Sequence, residues 1–479
     1  MTTTNHSTDK QALEARLKPA GQEHLLAFWD ELNPSEQANL AAQIESIDLD
    51  SINSLFRGEV EQPDWAELAR KATPPPAVRL AERSGGEGGE LGINDDAASQ
   101  RGVAALQAGQ VGVILIAGGQ GSRLGFELPK SMYPIGPMSA APLLQIHIEK
   151  VRAVSQRYGV QVPLYLMTSP ATHRETVKFL QQNDNFGLAE SELVVFCQGT
   201  MPAVDIETGK LLLASKHELF RSPDGHGGTV AALESSGAID QMRARGIEQL
   251  FYFQVDNPLV PVCDPALIGY HLLADSELTS LTVAKQQPHD KLGNFALVDG
   301  SLHVIEYSDL PDDVAQLRDD QGRLLFWAGS IAIHIFERTL LERALTLKET
   351  LPIHIAKKKV PHLDQQGELY TPTEPNALKF EKFIFDLLPA AKRPIVVEYA
   401  ESDCFAPLKN APGAEKDTAE YVQQMMLDQH SRWLTGAGAA ICNGVQVEIS
   451  PLFALDAAEV AEQIEPGQEF LESRYLTAL

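Results

Sequence analysis

Apolar and polar positions change rhythm along this chain. Between residues 10 and 60 the apolar positions recur at helical spacing, with Leu25, Leu26, Phe28, Trp29 and Leu32 in one cluster. Asn33-Pro34-Ser35-Glu36 reads as a helix start with proline in the first turn, and a helix is predicted from Gln37 to Ile47. Pro74-Pro75-Pro76 is a stiff break, and the glycine-rich run from Ser84 to Glu90 reads as a flexible surface segment. From about residue 101, short apolar runs alternate with longer amphipathic stretches. The runs predict strands over Val111–Ala117, Pro163–Thr168, Leu193–Phe196, Leu250–Val255, Leu281–Ala284 and Ile395–Tyr399. The stretches predict helices over Leu143–Ser155, Ala171–Gln182, Thr229–Arg245 and Pro265–Asp275. Such alternation implies a largely parallel sheet with helices on both faces. Ligands then sit at the carboxyl ends of the strands. Asn294 to Tyr307 reads as a hairpin turning at Asp299-Gly300. Past Asn410 helical and short-strand patterns mix, and no internal repeat is present. The expected fold is α/β in three parts: a helical cap and linker over 1–100, a catalytic domain over 101–400, and a small domain over 401–479.

Composition narrows the setting. The chain has 479 residues, 44% of them hydrophobic, which is ordinary for a water-soluble globular protein of two or three domains. No apolar run is long enough to predict a membrane span. The first residues lack the apolar core of a secretory signal. Cys197, Cys263, Cys404 and Cys442 are too scattered for a disulfide framework or a zinc site. A cytoplasmic protein is expected. The net charge of −26 argues against nucleic-acid and anionic-membrane partners. It also means that any phosphate site must gather a few cations, for which Arg123, Lys130, Lys382 and Lys409 are candidates.

The chemistry is densest from Leu115 to Lys130, LIAGGQGSRLGFELPK. A buried strand runs into Gly118, Gly119 and Gly121, then Arg123, Gly125 and Pro129-Lys130. Glycines allow close backbone approach, exposed N–H groups can cradle phosphate oxygens, and Arg123 and Lys130 supply positive charge. The dinucleotide fingerprint fails because Leu124 stands where its last glycine belongs. The P-loop fails because Lys130 follows proline. A nucleoside triphosphate is the expected ligand.

Other segments gain meaning beside this loop. Asp256 ends the strand Phe251–Val255, and taken alone Asp256-Asn257-Pro258 reads as a turn. Next to a triphosphate it is placed to hold Mg²⁺, or Mn²⁺ as an alternative, through a carboxylate and substrate phosphates. Ser222 to Thr229 forms a second glycine-rich loop, where His226 is expected to bind ligand rather than act as a base. Lys409 carries no signal of its own, and Phe383 and Phe385 read as core residues at strand spacing.

The motifs together resemble the eukaryotic-type UDP-N-acetylglucosamine pyrophosphorylases of the UDP-sugar pyrophosphorylase superfamily. The resemblance runs from about Gly21 to Asn410, through GGQGSRLG, Pro129 to Tyr133, Gln198 to Ala203, Pro223 to Gly228, Val255 to Asn257, Glu306 to Ser308, Phe380 to Phe383 and Phe405 to Asn410. It implies a Rossmann-like nucleotidyltransferase domain with a mixed, mostly parallel sheet. It implies a uridylyltransferase that converts UTP and a sugar 1-phosphate to a UDP-sugar and pyrophosphate, working as a monomer or homodimer. Gly118, Gly119 and Gly121 would wrap the nucleotide, Gln198 and Gly225 would read uracil, and Asp256 would hold the metal. Gly293 and Glu306 would contact the sugar, Phe383 and Phe385 would shape the N-acetyl pocket, and Arg123, Lys130 and Lys409 would offset phosphate charge. Two departures bear on the sugar. His226 replaces an asparagine, as in the UDP-glucose enzymes, and Ser330 and Ile333 stand where the family has asparagines. N-acetylglucosamine 1-phosphate is the leading substrate, with glucose 1-phosphate or a broader set as the alternative. A non-catalytic UDP-sugar sensor would have lost the cations or the metal ligand, and all four residues are present.

Overall fold

The structure is a computed structural model that describes residues 9–60, 63–83, 91–346 and 351–478. The glycine-rich run at 84–90 lies outside the described residues. The chain divides into two compact units. One comprises Met1–Asp64, Gly199–Gly228 and Leu351–Ile384; the other comprises Trp65–Gln198, Thr229–Thr350 and Phe385–Leu479.

The second unit is built on a ten-stranded sheet. Its strands are β1 (Ala77–Val78), β2 (Val111–Ile116), β3 (Leu164–Thr168), β4 (Leu193–Cys197), β5 (Gln249–Gln254), β6 (Leu278–Ala284), β7 (Gly293–Val298), β8 (Ser301–Ile305), β9 (Ala328–Glu337) and β10 (Ile395–Tyr399). The order across the sheet is β1-β10-β6-β9-β5-β2-β3-β4, with β7 paired to β8 and β9. Along that path only β9 runs antiparallel to its neighbours. The sheet is therefore mixed and mostly parallel. Its central strands are buried on both faces, with Val113, Leu115, Phe251 and Phe253 on one side and Ile114, Leu250 and Tyr252 on the other, as a sheet covered on both sides requires. The alternating runs predicted this core. Ten-residue β9 was not predicted. It breaks the strand–helix alternation, so no crossover pattern announces it.

Local signals were also realised in the turns. Val298 pairs with Ser301 across Asp299-Gly300, both at positive φ, the backbone of a two-residue hairpin turn. The predicted helix Thr229–Arg245 is instead two helices, Thr229–Ser235 and Ala238–Ala244, separated at Gly237 with φ of 73°. Helix Asp95–Gln107 escaped the pattern reading, while Ala419–Gly436 falls in the stretch past Asn410 where helical patterns are expected. Residues after 434 carry a small apolar core of their own, around Val447, Ile449, Val460 and Phe470, inside the larger unit.

The smaller unit joins three distant stretches. Its core packs Leu13, Leu25, Trp29, Leu40 and Ile44 with Val204, Leu211 and Phe380. Buried Gln22 ties the first stretch to the second, donating to the Gly209 carbonyl (3.0 Å) and accepting from the Leu211 N–H (2.9 Å). Asn33 caps helix Pro34–Glu45 in a full capping box with Glu36. The unit boundaries thus differ from the expected cuts at 100 and 400. Burial partners are chosen in space, and the apolar helices before residue 64 find theirs in segments 199–228 and 351–384.

Candidate active site

At the carboxyl end of β2 the chain leaves the sheet through Ala117, whose N–H donates to Met167 O (2.7 Å). Ser169 Oγ donates to Gly118 O (2.7 Å). A Cβ on Gly118 would stand 2.7 Å from Gln198 Oε1. Gln198, buried just past β4, donates its backbone N–H to Thr168 O (2.9 Å). The predicted glycine and glutamine are therefore neighbours, brought together across β3. Gly121 closes the loop on itself. Its N–H donates to Leu128 O (3.1 Å), its carbonyl accepts from Leu124 and Phe126, and a Cβ there would lie 2.7 Å from two backbone oxygens. Gly119 has no protein atom within 4 Å of the same position. Arg123, on the short turn Ser122–Leu124, is exposed and makes no hydrogen bond or ion pair among the described residues.

Lys130 crosses to the end of β5. Its N–H donates to Gly119 O (3.0 Å), while its Nζ lies 3.2 Å from Leu408 O and 3.5 Å from Asp256 Oδ2. Asp256 in turn accepts the Leu408 N–H on its carbonyl (2.8 Å). Asn257 completes the seam, donating to Cys404 O (2.7 Å) and accepting from the Ala406 N–H (3.0 Å). Segment 404–409 is thereby fixed against the Asp256 turn, which places Lys409 one residue from the carbonyl that Lys130 holds. Lys409 Nζ lies over the Phe405 ring, 5.6 Å from its centroid. Sequence spacing gave no sign of this convergence, which spans 279 positions from Lys130 to Lys409.

Three residues here were missed. His147 and Lys150 share one face of helix Leu143–Tyr158 and bracket the Asp256 turn. His147 Nε2 donates to Val255 O (3.0 Å), and Lys150 Nζ donates to Pro258 O (2.5 Å) and Val260 O (2.8 Å). Burial pulls the His147 imidazole down to about 3 and the Lys150 amine down to about 7. Asp417 is the third. Its carbonyl accepts from the N–H groups of Lys409 and Asn410 (2.9 Å each). Burial raises its carboxyl pKa, and Lys409 pulls the other way. His147 and Lys150 hold backbone more than a hundred positions away, and Asp417 acts through its own carbonyl, so no local motif marks them.

The predicted sugar-side residues also meet. Gly293 of β7 pairs with Ser330 of β9, and a Cβ on Gly293 would lie 3.3 Å from Glu306 Oε1 and 3.7 Å from Ser330 Cβ. Between Ser330 and Ile333 the register of β9 against β6 slips, with Ala332 at φ of 57°. Such a bulge re-aims side chains at a site. Phe385 is buried in the short helix Ile384–Ala390. Phe383 and Phe385 thus do not share a strand, because the strand Ala377–Lys382 ends before both.

Gly225, His226 and Phe383 belong to the smaller unit. Cβ atoms on Gly225 and Gly227 would overlap the backbone of Lys382, whose N–H donates to Asp224 O (2.8 Å). The second loop's glycines therefore admit a strand of the same chain. His226 stacks on Phe383, with centroids 5.2 Å apart and planes at 21°, and its Nδ1 accepts the Ile384 N–H (3.1 Å). Burial, helped by nearby His354, lowers His226 to about 4 and keeps it neutral. Lys382 closes the strand Ala377–Lys382.

Among the described residues no group of three or more His, Cys, Asp or Glu side chains could cage a metal ion, and none of the four cysteines is in a disulfide. Asp256, with phosphate oxygens and water, makes the donor set that Mg²⁺ accepts. No described helix is long and apolar enough to cross a membrane.

Residues 90–464 match the family described as UTP–glucose-1-phosphate uridylyltransferase, UDPGP. The UDP-N-acetylhexosamine pyrophosphorylase-like protein 1 of Homo sapiens is 38% identical over 444 residues, 90% of this chain and 86% of that one. The UDP-N-acetylglucosamine diphosphorylase 2 of Arabidopsis thaliana is 34% identical over 480 residues, 96% of this chain and 92% of that one. The crystal structure of the uridine diphosphate N-acetylglucosamine pyrophosphorylase from Trypanosoma brucei superposes with a TM-score of 0.80 at 25% identity, covering 96% of this chain and 95% of that one. With its family match spanning most of its length and its fold shared end to end, the chain belongs to the UTP–glucose-1-phosphate uridylyltransferase family.

Proposed function

We propose that the protein transfers uridylyl from UTP to a sugar 1-phosphate, giving a UDP-sugar and pyrophosphate, with N-acetylglucosamine 1-phosphate as the preferred acceptor. The observation that carries this reading is the convergence at the ends of β2 and β5. There Lys130 Nζ reaches both Asp256 and the carbonyl of Leu408, directly before Lys409. The names of the relatives above support the choice of sugar.

The sugar-phosphate oxygen attacks the α-phosphorus in line with the departing pyrophosphate. The attacking group is already an anion, so no general base is needed, and neutral His226 fits a binding role. Catalysis rests on positioning two polyanions and offsetting their charge. The glycine loop holds the triphosphate, Arg123 and Lys130 neutralise it, and Lys409 holds the sugar phosphate. Gln198 and Gly225 read uracil. Gly293, Glu306, Ser330, Phe383 and Phe385 contact the sugar. Mg²⁺ or Mn²⁺, held by Asp256, would supply a clamp on the phosphate oxygens. The reaction would take place in the cytoplasm.

Ser330 and His226 favour a second reading, in which glucose 1-phosphate or several sugars are accepted. Pyrophosphate release measured with UTP and a panel of sugar 1-phosphates separates the two. Turnover with N-acetylglucosamine 1-phosphate alone is the expected result. Turnover with glucose 1-phosphate alone overturns the leading choice. Tight nucleotide binding with no turnover on any sugar would identify a sensor instead.

A further inference from the structure

Beneath the paired Gly293 and Ser330 lies a buried ammonium that the mechanism does not use. Lys285 follows β6 and is 7% exposed. Its Nζ donates to Asn294 Oδ1 (2.6 Å) and Pro288 O (3.0 Å). No carboxylate forms an ion pair with it among the described residues. Asn294 is fully buried and donates its Nδ2 to Ile305 O (3.1 Å) and Leu292 O (3.3 Å). Lys285 also donates its backbone N–H to Trp327 O (2.8 Å), just ahead of β9.

A buried charge without a close ion pair is costly; Asp290 offsets it in part from a distance, and the bonds to Asn294 and Pro288 hold it in place. Leu292 precedes Gly293, Ile305 precedes Glu306, and Trp327 leads into the strand that carries Ser330. Side chains alternate along a strand, so Asn294 points away from the face on which Gly293 meets Glu306 and Ser330. The Asn294 side chain thus holds the backbone next to Gly293 and next to Glu306, while the Lys285 main chain holds the start of the strand that carries Ser330.

We propose that Lys285 and Asn294 form a positioning pair that sets sugar selectivity by fixing Gly293, Glu306 and Ser330 relative to one another. The proposal rests on reading those three as the sugar side of the site. Asn294→Asp tests it, because the carboxylate keeps the shape and the bond to Lys285 but cannot donate to Leu292 or Ile305. Steady-state kinetics over the sugar panel would be joined by calorimetric titration with UDP and with UDP-N-acetylglucosamine. KM for the preferred sugar 1-phosphate should rise about tenfold and preference across the panel flatten, with KM for UTP and affinity for UDP held within about twofold. Lys285→Met should act the same way. Asn294→Gln, which retains both donors on a longer arm, replaces Asn294→Asp if that variant does not fold. Glu306→Gln serves as the comparison. If Glu306→Gln impairs sugar use while Asn294→Asp changes nothing, the pair has no positioning role. If neither alters sugar use, the sugar-side reading falls and the proposal with it.

Discussion

Two glycines three residues apart should respond to the same substitution in opposite ways. In Gly118→Ala the new methyl would lie 2.7 Å from Gln198 Oε1, the far end of a side chain, and 3.3 Å from Ser169 Cβ. Gln198, a side chain rather than backbone, is the group that must shift, and alanine restricts the unfolded chain, a gain of roughly 0.4–1 kcal/mol that offsets part of the cost. Unfolding should therefore change by less than about 1 kcal/mol. Binding should suffer, because Gln198 no longer presents its amide to the base. One or two lost hydrogen bonds at about 1–1.5 kcal/mol each predict roughly a 10- to 100-fold weaker uridine nucleotide. In Gly121→Ala the methyl would lie 2.7 Å from the carbonyl oxygens of Phe126 and Leu128, both backbone atoms in the loop that Gly121 closes. No side chain can yield, so the loop itself must open, at a cost on the order of 1–3 kcal/mol. Thermal unfolding and calorimetric titration with UTP, run on both variants, read the two effects separately. The reasoning fails if Gly118→Ala binds UTP as the parent does, or if Gly121→Ala melts at the parent temperature.

Asp256→Asn and Lys130→Met should each lower kcat on the order of 100-fold with the fold intact by circular dichroism; unchanged kcat in both would remove charge compensation from the mechanism. His147, His271 and His430 are held near 3 by burial, below their ordinary value, so the unfolded chain binds more protons in acid. Their contribution to stability is complete above pH 6.5 and is lost as pH falls toward 3, so urea midpoints should drop between pH 7.5 and pH 5.5, and a rising midpoint would contradict the burial assigned to these rings. Asn33→Ala removes the capping box and should destabilise the smaller unit by about 1 kcal/mol in denaturant titrations, and no loss would mean that the cap is fully replaced by water.

The parts of this protein that were legible beforehand are those whose cause is local. The strands β2 to β6 are short apolar runs because both faces of the sheet are covered, and the loop after β2 announces itself because glycines and cations stand within sixteen residues. The turn at Asp299-Gly300 and the cap at Asn33 are similarly self-contained. What stayed hidden depends on distant partners. Lys150, His147 and Asn294 act on backbone carbonyls, which every residue type carries, so nothing in the partner's sequence marks the pairing. The helix break at Gly237 competes with a helical pattern that continues on both sides. The glycines of the second loop also make room for the strand of Lys382, a use that nothing nearby in the sequence marks.

The core that joins Leu13 and Trp29 to Phe380 carries a consequence for synthesis. A ribosome adding roughly 5–20 residues per second would make the first helices some 20–70 s before the residue that completes their packing emerges. Through that interval their greasy sides have no permanent home. A nascent chain stalled anywhere before residue 384 should be sticky, a natural client for holding chaperones, and unable to release a finished amino-terminal piece.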